Sequence, residues 1–439
     1  MIIYSTGYIL CYTFTRLGWL LPSGLVLIFT GLYLYWKDYR SSQNLIHLRG
    51  LFCLFFVGGQ GLSCMKLSIL QREWSNTTWF CFYLAVLSFY LAFDLTGRLL
   101  GKEKGPSWIE KQARGKGDVL PQTGGVQLKK FRRTLFVVIL VITLSSLVSF
   151  LIEALVLGYV PFFLRGVPHA YSYFHISGLH YITVSCVLVP SFYILYIRAK
   201  DERHKKRNAL ALLCTAVSLL IPVLCVSRFQ LILAVGMAAF TVICINKKIR
   251  FIHAAGLVLV MIPAYLILTV ARSHDVAYLN SIFQMKQESM PIFITQPYMY
   301  VAHNYDNFDC LVAELTGHSY GMRMLFPLWA LTGLKFLVPS LVNFTVYVNK
   351  TELTTLTLFY DAYYDFGVIG VAVFGVLLGG ICCLLVRQMK HQKNPVGYVF
   401  YAQMAMYMLL SFFTTWFSNP ATWFYLVVTA VAYLYVEYR

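Results

Sequence analysis

Runs of about twenty apolar residues recur along the chain, separated by shorter polar stretches, without the apolar-polar alternation of a transmembrane β-strand. They fall near Leu17–Trp36, His47–Leu67, Thr77–Leu95, Thr134–Leu157, Gly178–Ile197, Ala209–Val226, Leu231–Ile245, Phe251–Val270, Gly367–Val386, Val396–Phe417 and Thr422–Val436. Wound as a helix, such a run crosses a hydrocarbon core of about 30 Å, and inside lipid the helix satisfies its own backbone polar groups. The pattern predicts an all-α polytopic membrane protein with about 11–12 transmembrane helices. Residues before Arg16 are expected to add a short span or to lie along the interface.

Between two of these runs lies a long polar and aromatic interval, 272–366, which includes ARSHDVAYLN, YMYVAHNYDNFDCLVAELTGHSYGMRM and LFYDAYYDFG. It divides the chain into a membrane bundle (1–271) with basic cytoplasmic loops at 98–133 and 198–208, a large external loop (272–366), and C-terminal membrane helices (367–439). Within the loop, Met324–Val338 is apolar enough to suggest another crossing. A crossing there would invert the last spans and put the basic RQMKHQK outside, so the segment is read as a re-entrant or interfacial helix.

Charge supplies the orientation. Threading the spans alternately places 26 of the 36 Lys and Arg residues on one side, which is therefore expected to be cytoplasmic. The composition, 59% hydrophobic and only 12% charged, excludes an ordinary soluble domain. The net charge of +18 then records membrane orientation, and nucleic acid is not expected as a partner. The basic stretch 98–133 reads as a flexible loop beside anionic lipid. The 11 cysteines sit mostly inside apolar runs and lack metal-ligand spacing, so they read as small buried hydrophobes. Neither a metal nor a cofactor is expected, and MIIYSTGYILCYTF lacks the basic start and cleavage site of a signal peptide.

Arg165, Arg228, Arg272 and Arg323 fall on the external face, against the positive-inside bias. Singly, each could snorkel to headgroups or pair with a carboxylate; four on one face suggest an anionic ligand such as a diphosphate, whose oxygens a guanidinium binds bidentately. His303, Asp309 and His318 are the candidate proton acceptors among the loop's acids and histidines, and His303 and Asp306 have i, i+3 spacing if helical. The loop's aromatic rings suit either sugar faces or an interfacial belt. No HExxH, GxSxG, Walker or dinucleotide pattern occurs, which removes the commonest protease, esterase and nucleotide readings.

LVLGYVPFFLRGVPHAYSYFHISGLHY, VSRFQLILAV, YMYVAHNYDNF and YYDFGVIGVAVFGVLLGG resemble elements of the bacterial oligosaccharide repeat-unit polymerases, the Wzy-type O-antigen polymerase family. The resemblance covers roughly Glu153 to Gly380. It implies a metal-independent integral-membrane glycosyltransferase in the bacterial inner membrane, its active site facing the periplasm. Such enzymes serve lipopolysaccharide biosynthesis by moving a growing glycan from undecaprenyl diphosphate to the end sugar of a new lipid-linked repeat unit. Implied partners are undecaprenyl-diphosphate-linked oligosaccharides, membrane lipids and a chain-length regulator protein. Arg228, Arg272, Arg323 and Arg165 are the expected diphosphate contacts; Asn304, Tyr300, Tyr305 and Asp365 are the expected glycan contacts. An O-antigen ligase shares the large outer loop. A flippase for lipid-linked oligosaccharide should carry charges within its spans and related halves, whereas here Glu153 and Asp94 are nearly the only acids near span ends.

Overall fold

The computed structural model describes residues 1–101, 125–164, 170–199, 204–245, 276–287, 289–342, 344–390, 392 and 394–438. Thirteen helices of eight or more residues organise the described residues: α1 (Ile2–Arg16), α2 (Leu20–Ser42), α3 (Leu48–Cys64), α4 (Asn76–Leu99), α5 (Gly125–Leu157), α6 (Leu179–Arg198), α7 (Lys205–Leu224), α8 (Arg228–Ile245), α9 (Val276–Phe283), α10 (Ile292–Glu314), α11 (Tyr360–Lys390), α12 (Val396–Leu409) and α13 (Pro420–Tyr438). Among the described residues the only β pairing is an isolated antiparallel bridge, Ser68 to Met285.

Among the described residues, eight helices have the length and hydropathy to cross a membrane: α2, α4, α5, α6, α7, α8, α11 and α13. The protein is a multi-pass, all-α membrane protein. The sequence pattern anticipates about eleven spans, and the difference has three sources. The run Phe251–Val270 lies outside the described residues. α3 is a shorter apolar helix interrupted by a π-turn at Cys53–Val57. α12 ends at Leu409, where SFFTTWFSNP turns the chain into α13 instead of extending the helix to Phe417.

The chain forms two compact units. One comprises Met1–Gly105, Asp275–Gln388 and Tyr407–Asn419; the other comprises Pro106–His274, Met389–Met406 and Pro420–Arg439. In the first unit, α2 and α3 meet backbone to backbone. A Cβ on Gly24 would come 2.5 Å from the Gly61 carbonyl oxygen, and one on Gly61 would come 2.6 Å from that of Gly24. Only glycine allows this approach, which replaces hydrophobic driving force by close packing. Aromatic rings fill the centre: Phe52 lies 4.3 Å from Phe89 between centroids, Phe56 5.3 Å from Phe359, and Phe82 5.3 Å from Tyr305. The second unit is knit by small hydroxyls: Ser146 Oγ donates to the Ile182 carbonyl (2.9 Å), and Thr143 pairs with Ser218 (3.1 Å).

The interval 272–366 is not a solvated loop along its length. α10 occupies 23 residues of it, with His303 to Phe308 all buried. It packs on α3, where the Tyr305 hydroxyl donates to the Phe56 carbonyl (2.6 Å). That carbonyl lies in the π-turn, where the widened hydrogen-bond pattern makes a backbone oxygen available to a side chain. The apolar segment Met324–Val338 is two short helices, Phe326–Leu331 and Leu334–Leu337, separated at Gly333, whose φ is +79°. A six-residue helix extends about 9 Å, far short of a crossing, and Leu325, Leu328, Phe336 and Leu337 are exposed.

Candidate functional site

α10 is anchored by its acid. Asp306 accepts from Lys66 Nζ (2.6 Å), Trp74 Nε1 (2.8 Å), Gln71 Nε2 (2.8 Å) and Ser63 Oγ (3.4 Å). Lys66 also lies over the Trp74 ring, 4.3 Å from its centroid. These groups are buried, so the charge pair needs its full set of donors to offset desolvation. Lys66, Gln71 and Trp74 belong to the α3–α4 connection, to which sequence reasoning gave no role; the lone charge Lys66 at the end of an apolar run was the available signal.

This anchoring relocates several residues expected to meet substrate. Asn304 donates both amide hydrogens, to the Tyr300 and Phe412 carbonyls (2.7 Å each), and accepts from Thr355 Oγ1 (2.5 Å). Tyr305 is fully buried. Neither is left to contact a glycan, because each spends its polar atoms on the fold. Tyr300 is half-buried against Phe413, their centroids 6.2 Å apart. Asp309 caps α4 by accepting from Ser75 N (2.9 Å) and Thr78 Oγ1 (2.6 Å). His303 is 1% exposed with no hydrogen-bond partner on either ring nitrogen, and burial holds its pKa below the ordinary histidine value. As placed, it reaches no substrate proton.

A second cluster forms where α11 begins. Tyr320 and Gly321, with φ of +49° and +94°, turn the chain sharply, and Asp365 clamps the turn by accepting from Ser319 Oγ, Arg323 N (3.2 Å) and Met324 N (2.7 Å). Asp365 is thereby buried and acts as a positioning group, not as the expected glycan contact. The turn directs Arg323 onto Asp361, which accepts from its Nε and from Ser418 Oγ. The guanidinium carbon lies 4.7 Å from the Tyr364 ring centroid and 5.4 Å from that of Tyr360. Burial disfavours its charge, but the Asp361 carboxylate outweighs this and raises the Arg323 pKa above its ordinary value. Its side chain is 12% exposed. Only Nε is engaged, and the terminal amines are not among the buried polar atoms without partners, so the open edge of the guanidinium fork reaches the surface.

His318 is exposed, and its Nδ1 lies 3.2 Å from the Tyr364 carbonyl. The structure thus brings together Arg323, His318 and Asp365 with Asp361, Tyr360 and Tyr364. The missed signal was periodicity: Tyr360 with Tyr364, and Asp361 with Asp365, stand four apart on one helical turn. Gly367 follows at φ +60° and ψ −144°, a kink inside α11 at the position where the sequence pattern starts the span.

No protein-family model, curated protein or solved structure matches the chain.

In the other unit, Arg228 opens α8 and is buried. Only Cys225–Ser227 separates it from α7, and Val226 takes φ +54°, a conformation costly for a β-branched residue. Ser227 Oγ accepts from Gln230 N (3.4 Å) in the first turn. The same unit carries an arrangement that sequence reasoning did not assemble: Glu153, fully buried, accepts from His180, Thr183 and the backbone of Ile176. Arg165 and Arg272 lie outside the described residues. Among the described residues no group of three or more His, Cys, Asp or Glu side chains could hold a metal ion.

Proposed function

We propose that this protein polymerises lipid-linked oligosaccharide repeat units. On this reading it transfers the growing glycan from undecaprenyl diphosphate to the end sugar of a new repeat unit, at the periplasmic face of the bacterial inner membrane. The observation that carries the reading is the Arg323 cradle. A permanently charged guanidinium is held by Asp361 on one edge and flanked by two tyrosine rings, while its opposite edge faces outward. Transfer from a lipid diphosphate builds negative charge on the leaving group, and a pre-positioned cation stabilises that charge without reorganising during the step. The exposed Tyr320 suits a sugar, and the short apolar helices after Arg323, with Leu325, Leu328, Phe336 and Leu337 exposed, suit a membrane-bound lipid carrier.

The reading is tested by surface glycan from a host lacking the gene. Core bearing a single repeat unit, restored to long chains by the wild-type gene and not by Arg323→Ala, supports polymerisation. Loss of the single-unit band as well would assign the protein to ligation or flipping.

A further inference from the structure

Between Glu314 and Glu352 the chain carries no acidic residue, and between Arg323 and Lys350 its only charge is Lys335. Within this interval the first short helix rests one side on the protein, with Pro327 and Ala330 buried, while Leu325, Leu328 and Leu331, spaced three apart, are exposed. Past Gly333 burial ends: no residue of the helix Leu334–Leu337 or of the 3-10 turn Pro339–Leu341 is buried, and Phe336 and Leu337 are 64% and 78% exposed. An apolar face of this extent calls for a cover other than water. It is continuous with a face that the fold turns to hydrocarbon. On α11, a helix able to cross the membrane, Phe366, Ile369, Val373, Val376 and Leu377 are exposed at helical spacing. Tyr320 and Gly321 fasten the interval to the start of that stripe. The Tyr320 ring centroid lies 6.5 Å from that of Phe366, and a Cβ on Gly321 would come 3.4 Å from Phe366 Cζ and 3.8 Å from Leu325 Cδ1. Leu325 and the residues after it therefore leave from the end of the α11 stripe.

We propose that 325–338 is inserted in the lipid leaflet at the end of the membrane where α11 begins, with Leu328, Phe336 and Leu337 in hydrocarbon and the Lys335 ammonium among anionic headgroups. Helices that lie in a membrane surface bury their apolar face about 5–10 Å into the headgroup and acyl boundary and keep their cations at the lipid phosphates. The charge fits, because Lys335 is the segment's one charge and no acid within it repels an anionic surface. Lys335 Nζ lies 4.9 Å from the Phe336 ring centroid, so its stem runs along the apolar face and its charge sits at the rim. The length fits as well: helices of six and four residues, about 9 Å and 6 Å long, cannot cross but can lie flat. Insertion also brings Arg323, two residues before Leu325, to the level of the lipid phosphates with the open edge of its guanidinium outward. A lipid-borne anion reaches that level by diffusing within the leaflet, without lifting its tail into water. The insertion needs no sugar and no transfer step, so it stands apart from the polymerase reading.

The test uses full-length protein in vesicles of phosphatidylethanolamine and phosphatidylglycerol, with an environment-sensitive fluorophore on Leu328→Cys or, separately, on Leu337→Cys. Both side chains are exposed, so labelling leaves the packing in place. The native cysteines are buried apart from the half-buried Cys310, and the protein without an added cysteine gives the labelling background. Ile369→Cys, on the α11 stripe, serves as the hydrocarbon reference, and Glu352→Cys, exposed beyond the segment, as the water reference. Quenching by spin labels along the acyl chain should place both fluorophores about 5–10 Å below the headgroup boundary, and aqueous iodide should quench them as weakly as it quenches Ile369→Cys. Iodide quenching of both at the level of Glu352→Cys would overturn the insertion. Protection from both quenchers that is lost on dilution to one copy per vesicle would assign the face to a second copy of the chain, and would overturn it equally. Because the readout is depth, a protein that shows these depths and builds no glycan retires the polymerase reading alone.

Discussion

Removing the Asp306 carboxylate tests whether α10 is a buried structural helix. In Asp306→Ala the Lys66 ammonium, which is 5% exposed, loses its carboxylate, and the Trp74 indole and Gln71 amide lose their acceptor. Breaking a buried ion pair from one side costs about 3–5 kcal/mol, and each orphaned neutral donor costs about 1–3 kcal/mol when measured alone. These terms overlap, so we expect a total near 5 kcal/mol. For a unit of roughly 230 residues this corresponds to a fall of about 10–20 °C in thermal midpoint. Lys66→Met combined with Asp306→Leu removes both charges and should recover most of the loss, giving a coupling of about 3 kcal/mol in the double-mutant cycle. The assay is retention of monodisperse protein after heating in detergent, followed by fluorescence-detected gel filtration. A single mutant within about 2 °C of wild type would show that the polar face of α10 is hydrated, as an external loop would be.

Other expectations follow from the same geometry. Arg323→Lys keeps the charge but loses the planar fork and the Nε contact to Asp361, so elongation should drop about 10²–10³-fold at equal membrane abundance. Gly367→Ala must hold φ near +60° with a Cβ 3.0 Å from His318 Nε2, and should lower stability by about 1–3 kcal/mol in the heating assay. His303 has a folded-state pKa below that of the unfolded chain, so the unfolded state takes up the proton first as pH falls. Stability should therefore be whole above about pH 7 and decline below about 6.5, by up to about 1.4 kcal/mol per unit. His303→Leu should flatten that part of the pH profile.

The spans were legible because lipid imposes a length and a composition, and the helices from α2 to α8 match the apolar runs within a few residues at most ends. What misled was polarity in 272–366. In a chain with so few charges, YVAHNYDNFD looks solvated, yet its polar atoms bond inward to backbone carbonyls and to partners far away in sequence. Lys66 and Asp306 are 240 residues apart, and no local pattern marks one for the other. Glu153 and His180, 27 residues apart, sit at the facing ends of two different helices, and only packing of α5 against α6 unites them. Arg323 stood out in the sequence as a charge set against the expected positive-inside bias. Its setting required the Tyr320–Gly321 turn, whose left-handed backbone is plain only once Asp365 is seen to hold it.

Glycan polymerisation is measured most directly with purified wild-type protein in liposomes with lipid-linked repeat unit and no other sugar donor. The product should be a ladder of lipid-linked glycans, with one polyprenyl diphosphate released for each new glycosidic bond, and Arg323→Ala should make neither. Intact single repeat units and no released carrier, from protein that remains folded and inserted, would contradict it.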